Sequence, residues 1–251
     1  IVEELAGVPR MELRLKRGEQ VTAEHLEWAR RRAERVAAGE PVQYVLGWTS
    51  FRGHRISTDA RALIPRPETE ELVSRVREAL YGPSRIADVG TGTGCIAIAL
   101  CLEEEGVSVV ATDREPAALC LAAENVAAHG LGDRIELRRG DLLAGIGVGT
   151  LDVVVSNPPY VAESELAGLP RNVREFEPVT ALVSGPAGLD VIRRLVPEAG
   201  RCLKPGGRLF LEIGETQAGD VARILAGASF DCVRVHTDLA GRDRIVEGCS
   251  R

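Results

Sequence analysis

No C-x-x-C pair occurs among the six cysteines, Cys95, Cys101, Cys120, Cys202, Cys232 and Cys249. Four of them lie in apolar runs, so buried free thiols in a reducing compartment are expected rather than a disulfide frame. Histidine is sparse: His25, His54, His129 and His236 are spread too widely for zinc-ligand spacing, and no metal is expected. No run approaches the ~18 apolar residues of a membrane span, so no membrane partner is expected, and no signal-peptide pattern opens the chain. Internal repeats and low-complexity tracts are absent. Lysine is nearly so: Lys16 and Lys204 are the only lysines among 31 basic residues, a skew that reads as codon bias. Acidic residues outnumber basic ones 37 to 31, a formal charge of −6, which removes the overall footprint of a protein gripping a long nucleic-acid backbone. What is left is 251 residues of ordinary globular composition, enough to bury a core without disulfides or metals. A cytoplasmic, monomeric globular enzyme is expected.

The chain opens at Ile1 on a helical pattern already under way, as if residues preceded it. Leu26, Ala29, Ala33, Val36 and Ala37 put a narrow apolar stripe on one helix face, with Thr22 as N-cap and Gly39 as stop. Arg30, Arg31, Arg32 and Arg35 occupy the other face. They are either a patch for RNA or an acidic partner, or a solvated surface interleaved with Glu27 and Glu34. The character changes at Gly47. Trp48, Phe51, Ile56 and Ile64 are spread among Gly53, Ser57, Thr58 and two prolines, the pattern of a β-hairpin followed by an extended segment. Pro65 and Pro67 drive Ile64 and Arg66 out of the αR region, so the next helix is expected to start at Glu68 and end near Gly82-Pro83.

Strand and helix patterns then alternate. Strands are expected at residues 86–89, 107–112, 135–137, 151–155, 208–213, 232–236 and 244–246. Helices are expected at 95–102, 116–129, 189–203 and 216–226, the third closed by a Lys204-Pro205-Gly206-Gly207 turn. Apolar strands separated by crossover helices mean an α/β fold with an open, mostly parallel sheet covered on both faces. The final pair follows a short connection and is expected to be antiparallel.

The first strand of that sheet ends in Asp88-Val89-Gly90-Thr91-Gly92-Thr93-Gly94. Ligands of open α/β sheets bind outside the carboxyl ends of the strands, where the strand order reverses. Glycine there lets the backbone pass close to a ligand, and the next helix turns its free N–H groups to the same space. A dinucleotide fingerprint would need glycine at Cys95, and the G-K-[ST] ending of a P-loop is missing. G-x-G-x-G is what S-adenosylmethionine enzymes carry at this turn; a plain tight turn is the other reading. Asp113 ends the second strand, where a carboxylate can accept both vicinal hydroxyls of a ribose, or cap the helix entering at Pro116. Asp141 and Leu142, after the third strand, are placed to flank an adenine ring, with Leu142 as the apolar surface.

Asn157-Pro158-Pro159-Tyr160 follows the fourth strand directly. Two prolines fix φ and remove two N–H donors, which makes the turn stiff. The Asn157 side-chain carbonyl and the Pro158 backbone carbonyl then converge as acceptors for an –NH2 group, with Tyr160 offering a flat face for a planar amide or base. An amide nitrogen is a poor nucleophile, whereas a sulfonium methyl is an activated electrophile. Orientation for in-line attack can contribute ~7–11 kcal/mol, and acceptors that tighten as charge grows on nitrogen add to it.

These segments together resemble the HemK/PrmC family, which methylates the N5 amide of a glutamine in peptide-chain release factors. The resemblance also rests on Gly39-Glu40-Pro41-Val42-Gln43-Tyr44-Val45-Leu46-Gly47, on Leu63-Ile64-Pro65-Arg66-Pro67-Glu68-Thr69-Glu70, and on Phe176-Glu177-Pro178 with Ala181-Leu182. It implies a class I S-adenosylmethionine-dependent methyltransferase fold, Rossmann-like with a mostly parallel seven-stranded sheet. Residues 1–46 would form an N-terminal helical substrate-recognition domain, shorter than usual, 47–67 a β-hairpin or extended linker, and 68–251 the catalytic domain. It implies that Gly90, Thr91, Gly92, Thr93, Gly94, Asp113, Asp141 and Leu142 hold S-adenosylmethionine, released as S-adenosylhomocysteine. Asn157 would touch cofactor and substrate, with Pro158, Pro159, Tyr160, Arg66 and Pro67 on the substrate side, and Asn157, Pro158 and Tyr160 carrying the catalysis. The expected partner is a release factor, modified in its Gly-Gly-Gln loop to support translation termination, without direct nucleic-acid binding. An N6-adenine or N2-guanine methyltransferase acting on DNA or RNA is the alternative enzyme, since the same motif serves amino groups on bases. A non-catalytic S-adenosylmethionine-binding regulator would leave residues 157–160 without a task.

Overall fold

Thr22 opens the first helix, α1 (Ala23–Ala37), by accepting the His25 N–H on its hydroxyl at 3.1 Å, in a computed structural model that describes residues 21–228 and 230–251. The helical reading of residues 1–20 lies outside the described residues. The expected apolar stripe is present, but among the described residues nothing buries it: none of the helix's residues is buried, and Leu26 is 60% exposed. Its arginines form local ion pairs instead, Arg30 and Arg31 with Glu27 and Arg35 with Glu40, while the Arg32 guanidinium lies 3.7 Å above the Trp28 ring. The solvated reading of that face is the one these contacts fit. A short helix, α2 (Val42–Leu46), leads into the hairpin of β1 (Trp48–Phe51) and β2 (His54–Ser57).

The hairpin is clamped at both ends. Its two-residue turn, Arg52-Gly53, takes positive φ at both positions (50° and 81°), as a tight turn matched to strand twist requires. Arg52 then reaches α3 (Pro67–Glu78) and α4 (Cys95–Glu103), donating to Glu70 O and Ser74 Oγ at 2.8 Å and to both Glu103 oxygens. At the open end, Asn125 of α5 (Pro116–Ala128) pairs with Ser57 as a neighbouring strand would. Its Oδ1 accepts the Ser57 N–H at 2.8 Å, and its Nδ2 donates to Ser57 O and Thr93 O at 3.0 and 2.9 Å. Phe51 and Ile56 are buried in the same apolar cluster as Leu72, Ile86 and Ile98. The hairpin is thus part of the main core. Helix α3 begins one residue earlier than expected: Pro67 fits the first helical position, where no N–H is needed, while Arg66 before it stays extended (φ −104°, ψ 149°).

Seven strands form the main sheet: β3 (Ser84–Val89), β4 (Val107–Asp113), β5 (Ile135–Arg139), β6 (Leu151–Ser156), β7 (Leu203–Glu212), β8 (Phe230–Thr237) and β9 (Asp243–Ser250). Their order is β5-β4-β3-β6-β7-β9-β8, parallel through β7 and antiparallel for β9 against both β7 and β8. The antiparallel last pair is as expected. Helices α6 (Arg171–Phe176), α7 (Asp190–Cys202) and α8 (Ala218–Gly227) complete the layers. Lys204-Pro205-Gly206-Gly207 is not a separate turn before the strand. It bulges within β7, whose pairing with β6 jumps from Leu151↔Leu203 to Val153↔Arg208. All six cysteines are unpaired, but only Cys95, Cys101 and Cys202 are buried, while Cys120 and Cys232 are exposed.

Asn125→Ala strands the Ser57 N–H, the Ser57 carbonyl and the Thr93 carbonyl together. Loss of roughly 2–4 kcal/mol in stability is expected, by urea denaturation, with the hairpin amides losing hydrogen-exchange protection.

Candidate active site

The sheet order reverses between β3 and β6, so the loops leaving these two strands open onto one crevice. Gly90 follows β3 at φ +73°, and a Cβ there would project into open space along the cleft wall. The turn is held by the Gly90 and Thr91 N–H groups, both donating to Thr112 O at 2.8 and 3.0 Å. Beneath it Asp88 is fully buried and accepts the Thr91 hydroxyl at 2.5 Å; burial pushes its carboxyl up to about 7. Gly94 is the N-cap of α4.

Asp113 closes the other side of this loop. Its two oxygens accept the Gly92 and Glu115 N–H groups at 3.0 and 2.9 Å, and burial raises its carboxyl above the ordinary value. Each oxygen keeps a lone pair for a further donor such as a sugar hydroxyl. The side chain is therefore both fixed to the turn and available to the cleft. Thr112 Oγ1 donates to Leu142 O at 2.9 Å and so places Leu142, at φ +52°, along the same wall. Asp141 pairs with Arg194 of α7 across the rim.

The cleft is about 640 Å³, within the range of small-molecule sites. Gly90, Thr91, Gly92, Thr93, Asp113, Asp141 and Leu142 line one half, and Asn157, Pro158, Pro159 and Arg66 line the other. Gly94, Pro67 and Tyr160 are not among the lining residues. Gly94 and Pro67 are spent on starting helices. Tyr160, expected as a stacking face, has its backbone held in place: Gln217 Nε2 donates to Tyr160 O at 2.9 Å, and the adjacent Val161 bridges Val183. Gly188 passes so close that a Cβ would stand 2.0 Å from that oxygen. The Tyr160 hydroxyl faces Glu212 Oε1 at 3.5 Å.

Sequence reasoning missed what lies under and around the Asn-Pro-Pro corner. Asn157 Nδ2 donates to Thr69 Oγ1 at 3.0 Å, and Thr69 Oγ1 donates to Glu212 Oε2 at 2.7 Å. Glu212 is fully buried at the end of β7. Burial pushes its carboxyl up to about 7, against the pull of Thr69 and Arg244, with Glu68 adding and Tyr160 opposing. A carboxylate ending the apolar run Leu209-Phe210-Leu211 was the available signal. Glu177, 4% exposed, accepts from Arg66 Nη2 at 2.6 Å and from the Ile64 N–H at 3.3 Å. It thereby locks the Ile64-Pro65-Arg66 segment against the chain following β6. Ser156 Oγ donates to Val89 O at 2.6 Å, tying the two strand ends together.

Asp88 ionises in the folded protein at about 7, against an ordinary 3.8. A raised value means the unfolded chain gives up this proton first. The associated stabilisation is complete below the unfolded value and is lost as pH rises through about 7. Asp88→Asn does not titrate, so its urea midpoint is expected to gain on the parent's between about pH 5 and 8. A midpoint difference constant over that interval overturns the assignment.

Residues 67–169 match the family model described as the methyltransferase small domain, and residues 1–47 match that of the PrmC N-terminal domain. The chain is 43% identical over 216 residues to the release factor glutamine methyltransferase of Nitratidesulfovibrio vulgaris, covering 84% of this chain and 73% of that protein. It is 36% identical over 249 residues to the protein of that name in Gloeobacter violaceus, covering 98% and 87%. Among solved structures, a T. thermophilus 16S rRNA methyltransferase in complex with AdoMet and guanosine superposes with a TM-score of 0.60 at 18% identity, covering 81% of this chain and 50% of that one. That likeness shows the fold, a class I methyltransferase sheet. By identity and coverage, the chain belongs to the release factor glutamine methyltransferase family.

Proposed function

We propose that this protein transfers the methyl group of S-adenosylmethionine to the side-chain amide nitrogen of the glutamine in the Gly-Gly-Gln motif of a peptide-chain release factor, in the cytoplasm. The observation that carries the reading is that the Gly90 turn with Asp113 and the Asn157-Pro158-Pro159 corner open onto one continuous cleft. The release factor glutamine methyltransferases to which the chain is similar support the acceptor.

The residues present fit the cofactor. Asp113 offers a fixed carboxylate to a ribose, the glycine turn leaves room where a Cβ would intrude, and Leu142 with Ala117, Ala118 and Val191 gives an apolar slot for a flat base. When bound, S-adenosylmethionine supplies a methyl carbon on a positively charged sulfur, so that the carbon–sulfur bond breaks as the nitrogen–carbon bond forms. Asn157 Oδ1 and the Pro158 carbonyl accept the two N–H groups of the glutamine amide and point its nitrogen at that carbon. Both acceptors strengthen as positive charge grows on nitrogen, which favours the transition state over the ground state. The extra proton is acidic once the methyl is on nitrogen and leaves to solvent. Pro158 is buried and Pro159 lines the cleft, so the corner holds its acceptors with little freedom to relax. Arg66, fixed by Glu177, stands at the substrate side of the opening.

Labelled methyl groups are expected in purified release factor and not in ribosomal RNA or DNA, with a one-methyl mass increment on the Gly-Gly-Gln glutamine. Label in nucleic acid alone overturns the reading and favours the base-methylating alternative. Asn157→Ala is expected to lower kcat/KM by about 100-fold, the scale of one oriented acceptor, with the denaturation midpoint preserved. Full turnover in this variant removes Asn157 from the chemistry.

A further inference from the structure

Glu212 lines no part of the cleft and touches neither proposed ligand, yet it is a fully buried carboxyl one hydroxyl away from Asn157. An ionised carboxylate can only accept hydrogen bonds, and a threonine hydroxyl has a single hydrogen. Thr69 spends that hydrogen on Glu212 Oε2 at 2.7 Å. Only lone pairs remain on Thr69 Oγ1, so the Asn157 atom facing it at 3.0 Å must be the donor, Nδ2. The two ends of an asparagine amide have almost the same shape, and the surrounding network decides which is which. The Tyr160 hydroxyl stands at the other carboxylate oxygen, Oε1, and both faces of the carboxylate therefore meet donors.

We infer that Glu212, acting through Thr69, fixes the Asn157 carboxamide with Oδ1 toward the cleft, and thereby makes the site select a carboxamide side chain over a carboxylate. The inference rests on the glutamine-methylating reading and deepens it. Glu212 and Thr69 are positioning and specificity-determining residues: Glu212 stands outside the cleft lining, and Thr69 lines it beside Asn157, the side chain it orients. With Oδ1 outward, Asn157 and the Pro158 carbonyl form two acceptors that suit an –NH2 group and repel a glutamate, which offers no hydrogens. Reversing the asparagine turns one acceptor into a donor, mispairs the glutamine and removes part of the penalty against glutamate.

Glu212→Gln is nearly isosteric and reverses the chain of donors. The new amide can donate to Thr69 Oγ1, which frees the threonine hydrogen for Asn157 Oδ1 and turns Nδ2 to the cleft. The experiment compares two purified release factors differing only in Gln or Glu at the target position. Each is bound to the parent, Glu212→Gln, Thr69→Val and Thr69→Ser, with S-adenosylhomocysteine present. It is run at about pH 8, above the Glu212 value of about 7. The parent is expected to prefer the Gln form by at least ~30-fold, and Glu212→Gln and Thr69→Val by less than ~5-fold, with kcat on the Gln form reduced by about 30-fold. Thr69→Ser keeps the hydroxyl and is expected to keep the preference. A merely structural role would lower the melting temperature and weaken both forms together, leaving their ratio unchanged. A folded Glu212→Gln that keeps the parent's ratio overturns the relay; should that variant fail to fold, a folded Thr69→Val with the parent's ratio does the same. A parent that methylates the Gln form while these variants match it sinks the relay alone. A parent with no transfer and no preference sinks the functional reading and the relay with it.

Discussion

Parallel pairing between β3 and β6 is the constraint on which the site depends. Asp88 lies opposite Val155 in that ladder, so the glycine turn and the Asn-Pro-Pro corner leave the sheet within a few residues of the same level. A register slip of one residue would move every side chain of one strand to the opposite face of the sheet. The apolar runs Ile86-Ala87 and Val153-Val154-Val155, buried from both sides, oppose such a slip. Ser156 adds a direct tie by donating to Val89 O. The distance between the two halves of the cleft is thus set by the core of the protein, and neither loop can adjust it independently.

Apart from Glu247 of β9, the buried polar groups of the sheet gather at this same end. Asp88, Thr91, Thr112, Ser156 and Glu212 are each almost completely removed from water, where an unpaired polar atom costs about 1–3 kcal/mol. Each is held by at least one hydrogen bond that also positions a cleft element: Asp88 and Thr91 brace the glycine turn, Thr112 carries Leu142, and Glu212 reaches Asn157 through Thr69. Such a network is expensive if any member is lost, and its geometry has few alternatives. Its value lies in preorganisation more than in stability, since replacing buried polar groups with well-packed apolar ones is often neutral or favourable to folding.

The sheet and the cleft walls were legible because their signals are local. Apolar runs, crossover helices, a glycine turn after a strand and an asparagine before two prolines each announce themselves within about ten residues. What escaped depends on partners far along the chain. Glu212 joins Thr69 across 143 positions, and Glu177 joins Arg66 across 111; no period or spacing relates them. The surroundings of Tyr160 were hidden for the same reason: Gln217 and the close approach of Gly188, both far along the chain, hold its backbone oxygen. The α1 stripe is the opposite case: the pattern is real, but the described residues do not cover it. Helix α6 and the two short turns around it, Glu163–Gly168 and Val179–Ala181, are too brief for periodicity to register.

The substrate half of the cleft is built differently from the cofactor half. The glycine turn and Asp113 grow directly from strand ends and inherit their rigidity. The Ile64-Pro65-Arg66 segment and the chain after β6 are irregular loops and need another source of order. Glu177 supplies it: one buried carboxylate takes the Arg66 guanidinium on one oxygen and the Ile64 N–H on the other, while Tyr44 donates to Ala62 O at 2.8 Å just before. A buried ion pair with a half-exposed arginine adds little net stability once desolvation is counted, but it admits one relative placement of the two loops. Prolines at 65, 67, 158, 159 and 178 restrict the same segments by lowering the entropy of the unfolded chain. Accuracy in this half therefore comes from pairing two stiffened loops through a single acceptor, and the polarity of Asn157 at their junction is set from below by β7.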